Sequence, residues 1–249
     1  MNQDNRFKQI EELSLNAWPA LQQLVYDGWV VRFAGGHTRR ANSINPIYAG
    51  VLPAVDQKID YCMALYDRQN LPAVFKISPF VQPSDLDQRL ESRGLERHSV
   101  SSVRLRDISE QLPAPADGFR FWPKFSIEWE AHYERLHGVP ARREAHRSIL
   151  SNILAETCFA TLAEQGDVVA CGLGVLENEH IGLFDIITAP RYRRRGFAQQ
   201  LISGILHWAR HRGANTAYLQ VETENTPAIN LYAKLGYEEI YQYWYRVKG

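Results

Sequence analysis

Between residues 181 and 212 the chain reads as a strand, then arginines around one glycine, then a helix. The strand runs from Ile181 to Thr188, the turn is Arg193-Arg194-Arg195-Gly196-Phe197-Ala198, and the helix continues to Arg212. No other stretch constrains the fold as much. Glycine and small residues at a helix N-terminus let backbone N–H groups close on an anion, and the helix dipole favours negative charge there. Flanking arginines add charge-assisted hydrogen bonds, and a pyrophosphate is the natural ligand. Taken alone, the same residues also suit a solvated basic loop capping a helix. The helix is amphipathic: Phe197, Leu201, Ile205 and Trp208 fall at helical spacing, and Gly213 suits its stop.

One strand later, Ala217 to Val221, comes a second punctuated segment from Glu222 to Tyr237. Asn225 is an N-cap, Pro227 belongs in a first turn, and Gly236 suits the C-terminal stop. Ala228, Leu231, Tyr232 and Leu235 share one apolar face. By itself, Tyr232 on that face is a packed aromatic before it is an acid.

Together, the strand ending Ile186-Ile187-Thr188-Ala189-Pro190, the RxxGxA turn and the NxxAxxLYxKLGY helix resemble the GNAT superfamily of acyl-CoA N-acyltransferases. The resemblance covers residues 180 to 249 with the elements in family order. Residues 120 to 179 fit the family's opening helices and hairpin without distinctive residues. The resemblance implies acetyl-CoA as co-substrate and direct transfer to an amine in one ternary complex. Ile186, Ile187 and Thr188 would hold the pantetheine arm and thioester through backbone groups. Arg193, Arg194, Arg195, Gly196, Phe197 and Ala198 would cradle the pyrophosphate, with alanine at 198 where many members have glycine. Asn225 and Ala228 would lie along the cofactor arm, and Tyr232 would protonate the departing thiolate. Asp185 stands where members often carry an acidic residue facing the acceptor. It would take the ammonium proton or bind a cationic substrate, or else be a solvated strand-edge aspartate; Glu222 and Glu224 are weaker candidates.

The rest of the chain divides at a Pro- and Gly-containing stretch, QLPAPADG, inside residues 107 to 124. Before it we expect helices near 6–26, 56–69 and 84–93 and strands near 29–34, 43–48, 73–77 and 100–105. After it we expect helices at 126–136 and 142–153, strands at 158–163 and 168–176, and a final strand at 240–247. A shift of 142 residues lays the first half on the second, Gly94 on Gly236 and Arg68 on Arg210. The expected fold is therefore mixed α+β in two tandem GNAT-like domains, each a mostly antiparallel sheet flanked by helices. Residues 1–110 form the degenerate domain and 118–249 the acetyl-CoA-binding one. In the first, Val51-Leu52-Pro53-Ala54 replaces the arginine turn, Pro53 lacks an N–H, and Leu90 stands in place of Tyr232.

Composition bounds the partners. Twenty-eight basic residues balance twenty-eight acidic ones, which argues against a protein built to grip nucleic acid. No apolar run approaches the ~18 residues of a membrane span. Three cysteines without CxxC spacing read as reduced thiols, so a cytoplasmic location is expected. His207 and His211 stand four apart on a helix but lack a third ligand, so no metal is expected. The expected activity is N-acetylation of a small amine or amino acid by a monomer or homodimer. The rival is a non-catalytic acyl-CoA-binding module.

Overall fold

Pro19 decides where the first helix stops. It lacks an N–H and disfavours helical backbone at the residue before it. In the computed structural model, which describes residues 3–52, 54–110 and 112–249, α1 therefore covers Gln3–Ala17 and does not reach the expected residue 26. A hairpin takes up the remainder. β1 (Gln22–Tyr26) pairs with β2 (Trp29–Phe33), Tyr26 opposite Trp29, across a turn in which Asp27 and Gly28 both have positive φ. Asp-Gly is a pair that such a two-residue turn favours.

The elements that follow are β3 (Ile44–Asn45), α2 (Val55–Arg68), β4 (Val74–Ile77), α3 (Leu86–Ser92), β5 (Glu96–Asp107) and β6 (Phe119–Trp122). Next come α4 (Ile127–His137), α5 (Arg143–Ser151), β7 (Glu156–Glu164), β8 (Asp167–Glu177) and β9 (His180–Thr188). The series closes with α6 (Phe197–Arg210), β10 (Thr216–Glu222), α7 (Thr226–Lys234) and β11 (Glu238–Val247). Strand β6 replaces part of the expected linker. Gly118 turns into it at φ +82, and its residues pair antiparallel with β7, Phe119 opposite Leu162. Gln111 of that linker lies outside the described residues.

The chain forms two compact units. One comprises Met1–Val103, Val221–Asn225 and Ile240–Gly249; the other comprises Arg104–Gln220 and Thr226–Glu239. In the first, strands run β1-β2-β3-β4-β11, with β3 and β4 parallel and the other neighbours antiparallel. Trp29, Ile44, Ile59, Tyr66 and Phe75 fill its core. Charge is buried there too, and it is paired, as burial demands. Glu11 holds Lys76 and accepts the Tyr241 hydroxyl at 2.6 Å, while the Lys76 ammonium lies 3.8 Å from the Tyr243 ring centroid. The Arg32 guanidinium donates to the carbonyls of Leu15, Trp18 and Arg40, and burial draws its pKa down to about 10.

In the second unit the order is β10-β9-β8-β7-β6, with β9 and β10 parallel and the rest antiparallel. Helix α6 buries Phe197, Leu201, Ile205 and Trp208. Glycines set how closely it packs. A Cβ on Gly174 of β8 would stand 2.5 Å from the Ile205 side chain, and one on Gly204 would stand 2.5 Å from the Phe119 ring. Ser126 caps α4 by accepting the Trp129 N–H at 3.1 Å, and the Trp129 indole donates to the Ala160 carbonyl of β7.

The two units follow one plan. Helices α2 and α6 each have 14 residues, and both ends are offset by 142 positions. Each lies between two strands that pair in parallel, β3 with β4 and β9 with β10. The fold is thus a tandem of two like α+β units.

Strand β11 anchors α3 within the first unit. Arg246 grips Asp87 at 2.7 and 3.1 Å, and the Trp244 indole donates to the same carboxylate at 2.9 Å. Burial raises the Asp87 carboxyl, but these donors outweigh burial and hold it below its ordinary value. A lowered pKa stabilises the fold fully above the ordinary carboxylate range of about pH 4, and that contribution is lost as pH falls through the folded value. Asp87→Asn should therefore lower the melting temperature at neutral pH, with the gap closing as pH falls below the ordinary carboxylate range. Equal melting temperatures at neutral pH would show that this contact contributes nothing.

Candidate functional site

Strands β9 and β10 pair only over His180–Leu183 and Thr216–Leu219, although β9 continues to Thr188. Beyond Leu183, β9 keeps its antiparallel partner β8 alone. The register there slips: Leu173 faces Phe184 and Cys171 faces Ile187, so Asp185 and Ile186 share Gly172 as their partner. This is a β-bulge, and Asp185 within it takes φ +50, rare for a side chain other than glycine. Gly172 makes room, since a Cβ there would stand 2.5 Å from Ile186 Cδ1 and 3.2 Å from a Leu201 methyl. The result is an edge whose peptide groups, at the expected positions Ile186, Ile187 and Thr188, are released from the β10 ladder. Released backbone groups at a strand edge are what an extended amide-bearing ligand can pair with. Thr188 Oγ1 is also buried without a hydrogen-bond partner among the described residues. A buried, unsatisfied hydroxyl is costly unless something fills its need.

The arginine turn lies directly after this edge. A short 3-10 turn, Pro190–Tyr192, leads into Arg193, whose Nε lies 3.4 Å from the Thr188 carbonyl. Arg194 and Gly196 both have positive φ, 61° and 85°, and α6 begins at Phe197 with no side chain capping it. Arg193, Arg194, Arg195 and Gly196 are exposed, Ala198 is half-buried, and Phe197 anchors the turn in the core. Arg195 stacks over the Tyr192 and Phe197 rings, and Arg191 is held by Asp167 at 3.1 Å. Open N–H groups, a helix dipole and exposed guanidiniums therefore converge at one place.

Asp185 has a partner that the sequence reading missed. His146 of α5 is buried, and its Nε2 lies 3.1 Å from Asp185 Oδ2. The Tyr133 ring of α4 lies 4.9 Å from the imidazole and 5.4 Å from Trp129, stacked on the latter. Asp185 itself keeps 18% side-chain exposure. A lone histidine on an amphipathic helix 39 residues upstream carries no local signal. Tyr232 is buried on α7 with its ring edge-on to Tyr237 at 5.8 Å. Ala228 is half-buried one turn earlier. Asn225, Glu222 and Glu224 are exposed and lie in the Val221–Asn225 segment of the first unit.

At the positions that the 142-residue offset matches to the arginine turn, the first unit has a different arrangement. Asp27 accepts the N–H of Val51 at 2.6 Å and that of Leu52 at 3.3 Å, and pairs with Lys58 at 2.9 Å. The chain's own carboxylate thus occupies the donors ahead of α2. Pro53 lies outside the described residues.

Other features lie apart from this chemistry. A cavity of about 490 Å³ between Phe125, Leu150 and Thr157 touches none of the expected site residues. The His207 and His211 rings lie 4.2 Å apart, and no group of three potential metal ligands occurs among the described residues. Within those residues no helix is long and apolar enough to cross a membrane.

Comparison with known proteins gives a consistent answer. Residues 5–246 match the family described as "Probable histone acetyltransferase Rv0428c C-terminal". The chain is 28% identical over 246 residues to the uncharacterized N-acetyltransferase YobR of Bacillus subtilis (strain 168), covering 97% of this chain and 98% of that one. Its fold is similar to a GCN5-related N-acetyltransferase from Kribbella flavida, with TM-score 0.70 and 15% identity over 97% and 95% of the two chains. It is also similar to a tandem GNAT protein from the clavulanic acid biosynthesis pathway, with TM-score 0.62 and 12% identity over 96% and 88%. The structural likenesses speak for the fold.

The bulge can be tested through Gly172. Gly172→Val should cost about 1–3 kcal/mol of stability by overpacking. Because the added methyls press on Ile186, it should also shift the backbone amide resonances of Ile186 to Thr188, read by NMR. Unmoved resonances would detach Gly172 from the bulge.

Proposed function

Because the chain belongs to the Rv0428c C-terminal acetyltransferase family, within the GNAT superfamily of N-acetyltransferases, we propose that it moves an acetyl group from acetyl-CoA to a primary amine, that of a small molecule or amino acid. One observation carries this reading above the others: β9 leaves β10 after Leu183, while the strand runs on to a turn built for an anion.

Acetyl-CoA supplies the acetyl group as a thioester, already activated toward an amine. The backbone of Ile186, Ile187 and Thr188 holds the pantetheine arm, with Thr188 Oγ1 as a further polar group in need of a partner. An N–H on this edge polarises the acetyl carbonyl and stabilises the developing oxyanion. Arg193 to Ala198 take the pyrophosphate on the α6 N-terminus. Ala228 flanks the arm. The amine is presented for direct attack, which turns a bimolecular encounter into one within a single complex. Asp185 binds the incoming ammonium and takes its proton to free the neutral amine; Tyr232 gives a proton to the departing thiolate and is restored by the second proton that the nitrogen sheds. The first unit binds no acetyl-CoA of its own, because Asp27 already holds the donors of its turn.

Calorimetric titration should give one acetyl-CoA per chain; two sites would overturn the assignment of Asp27. Tyr232→Phe should bind acetyl-CoA with unchanged affinity and release CoA roughly a hundredfold more slowly or worse. If Tyr232→Phe turns over like the wild type, the acid lies elsewhere.

A further inference from the structure

Histidine–carboxylate pairs usually present the imidazole to the substrate and use the carboxylate behind it for orientation. Here burial reverses the order. His146 is 2% exposed, packed against Tyr133 beneath α4, whereas Asp185 keeps 18% of its side chain open. The member that can meet a substrate is the carboxylate, and the imidazole stands behind it. We infer that His146 is a positioning residue, fixing Asp185 so that one carboxylate oxygen is committed and the other faces the acceptor amine. The inference rests on the acetyltransfer reading above and assigns a group that the reading leaves out.

Three observations carry it. With its proton on Nε2, His146 donates to Asp185 Oδ2 at 3.1 Å, and Oδ1 takes no hydrogen bond from the described residues. Asp185 sits in the bulge at φ +50, a backbone state that costs energy and persists only where the surroundings enforce it. The hydrogen bond to α5 is one enforcing contact, because it ties the bulge to a helix that does not share its strand ladder. Finally, no lysine or arginine among the described residues pairs with Asp185. Arg143 and Arg147, on the same helix as His146, are taken up by Glu130, Glu134 and Glu144. One carboxylate oxygen is therefore held by the imidazole, and the other is left open to an incoming ammonium. Tyr133 of α4 and Cys171 of β8 also feel the Asp185 charge, and burial pushes both toward their neutral forms.

Two measurements test this on the full chain. The first needs no turnover: nitrogen-15 NMR of the histidine rings should show His146 protonated on Nε2, with its ring shifts moved by Asp185→Asn. Unmoved shifts would mean that the pair does not form, and the inference falls. The second is kinetic, with a panel of an amino-acid amide, a diamine and a lysine peptide, read by CoA release. His146→Phe keeps a ring against Tyr133 but removes the donor; it should lose about ten- to a hundredfold in kcat/KM for the amine, with acetyl-CoA affinity unchanged. His146→Gln keeps an N–H near the Nε2 position and should stay within about threefold of wild type. A Phe variant as active as wild type overturns the inference. So does a Gln variant as impaired as Phe, because the ring would then be carrying a proton and not merely holding a carboxylate. Wild type that binds acetyl-CoA yet releases no CoA with any of these amines would count against the proposed reaction, and the NMR result would still decide the role of His146.

Discussion

Two neighbouring strands part company after Leu183, and the candidate site depends on that parting. Leaving backbone N–H and C=O groups unpaired inside a sheet is costly, so a fold that does it needs a reason and a means. The means is local: one extra residue in β9, a left-handed backbone at Asp185, and Gly172 opposite to give the bulge room. The bulge redirects the strand, exposes its edge, and aims a carboxylate at α5. The turn that follows then delivers the N-terminus of α6 next to the same edge. Strain, open hydrogen-bonding groups and an uncapped helix N-terminus thus fall within about fifteen residues of one another, as expected when strain is kept where a ligand can relieve it.

What the sequence disclosed follows from the same physics. Gly196, Gly213, Pro227 and Gly236 answer to backbone requirements that only those residues meet cheaply, so α6 and α7 were legible along with the faces they bury. The 142-residue offset was legible for a similar reason, and it places both ends of α2 against both ends of α6. The bulge was not legible. A positive φ at an aspartate leaves no glycine to mark it, and a one-residue register slip is invisible without the partner strand. The bond between His146 and Asp185 joins an amphipathic helix to a strand 39 residues away, and neither end advertises the other. The hairpin of β1 and β2 did carry a signal, Asp27-Gly28, but a helical reading of the residues before it ran through Pro19. Strand β6 was hidden by its short length beside a proline-rich stretch.

The two units solve stability differently. The second buries an aromatic and aliphatic interface between α6 and its strands, with glycines setting the distance. The first buries formal charge: Glu11 with Lys76, Asp27 with Lys58, and Arg32 among three carbonyls. Buried pairs of this kind return little net stability against an apolar core of the same volume, but removing one member strands the other. The first unit is accordingly intolerant at those positions. Asp27 has two duties there, forming the hairpin turn and filling the donors ahead of α2.

Strand β11 joins the first unit beside β4, with Trp244 opposite Ile77 and Val247 opposite Val74. During synthesis, β4 and α3 emerge early, yet β11 is translated only after nearly all of the second unit. A nascent chain therefore carries a β-edge with no neighbour while many further residues are made, and such an edge invites pairing with foreign strands. Closing it requires a contact between residues far apart in sequence, which is slow for reasons of chain entropy alone. Translation speed and chaperone supply thus become determinants of yield for this protein, and splitting the chain between its halves would separate β4 from the strand that completes it.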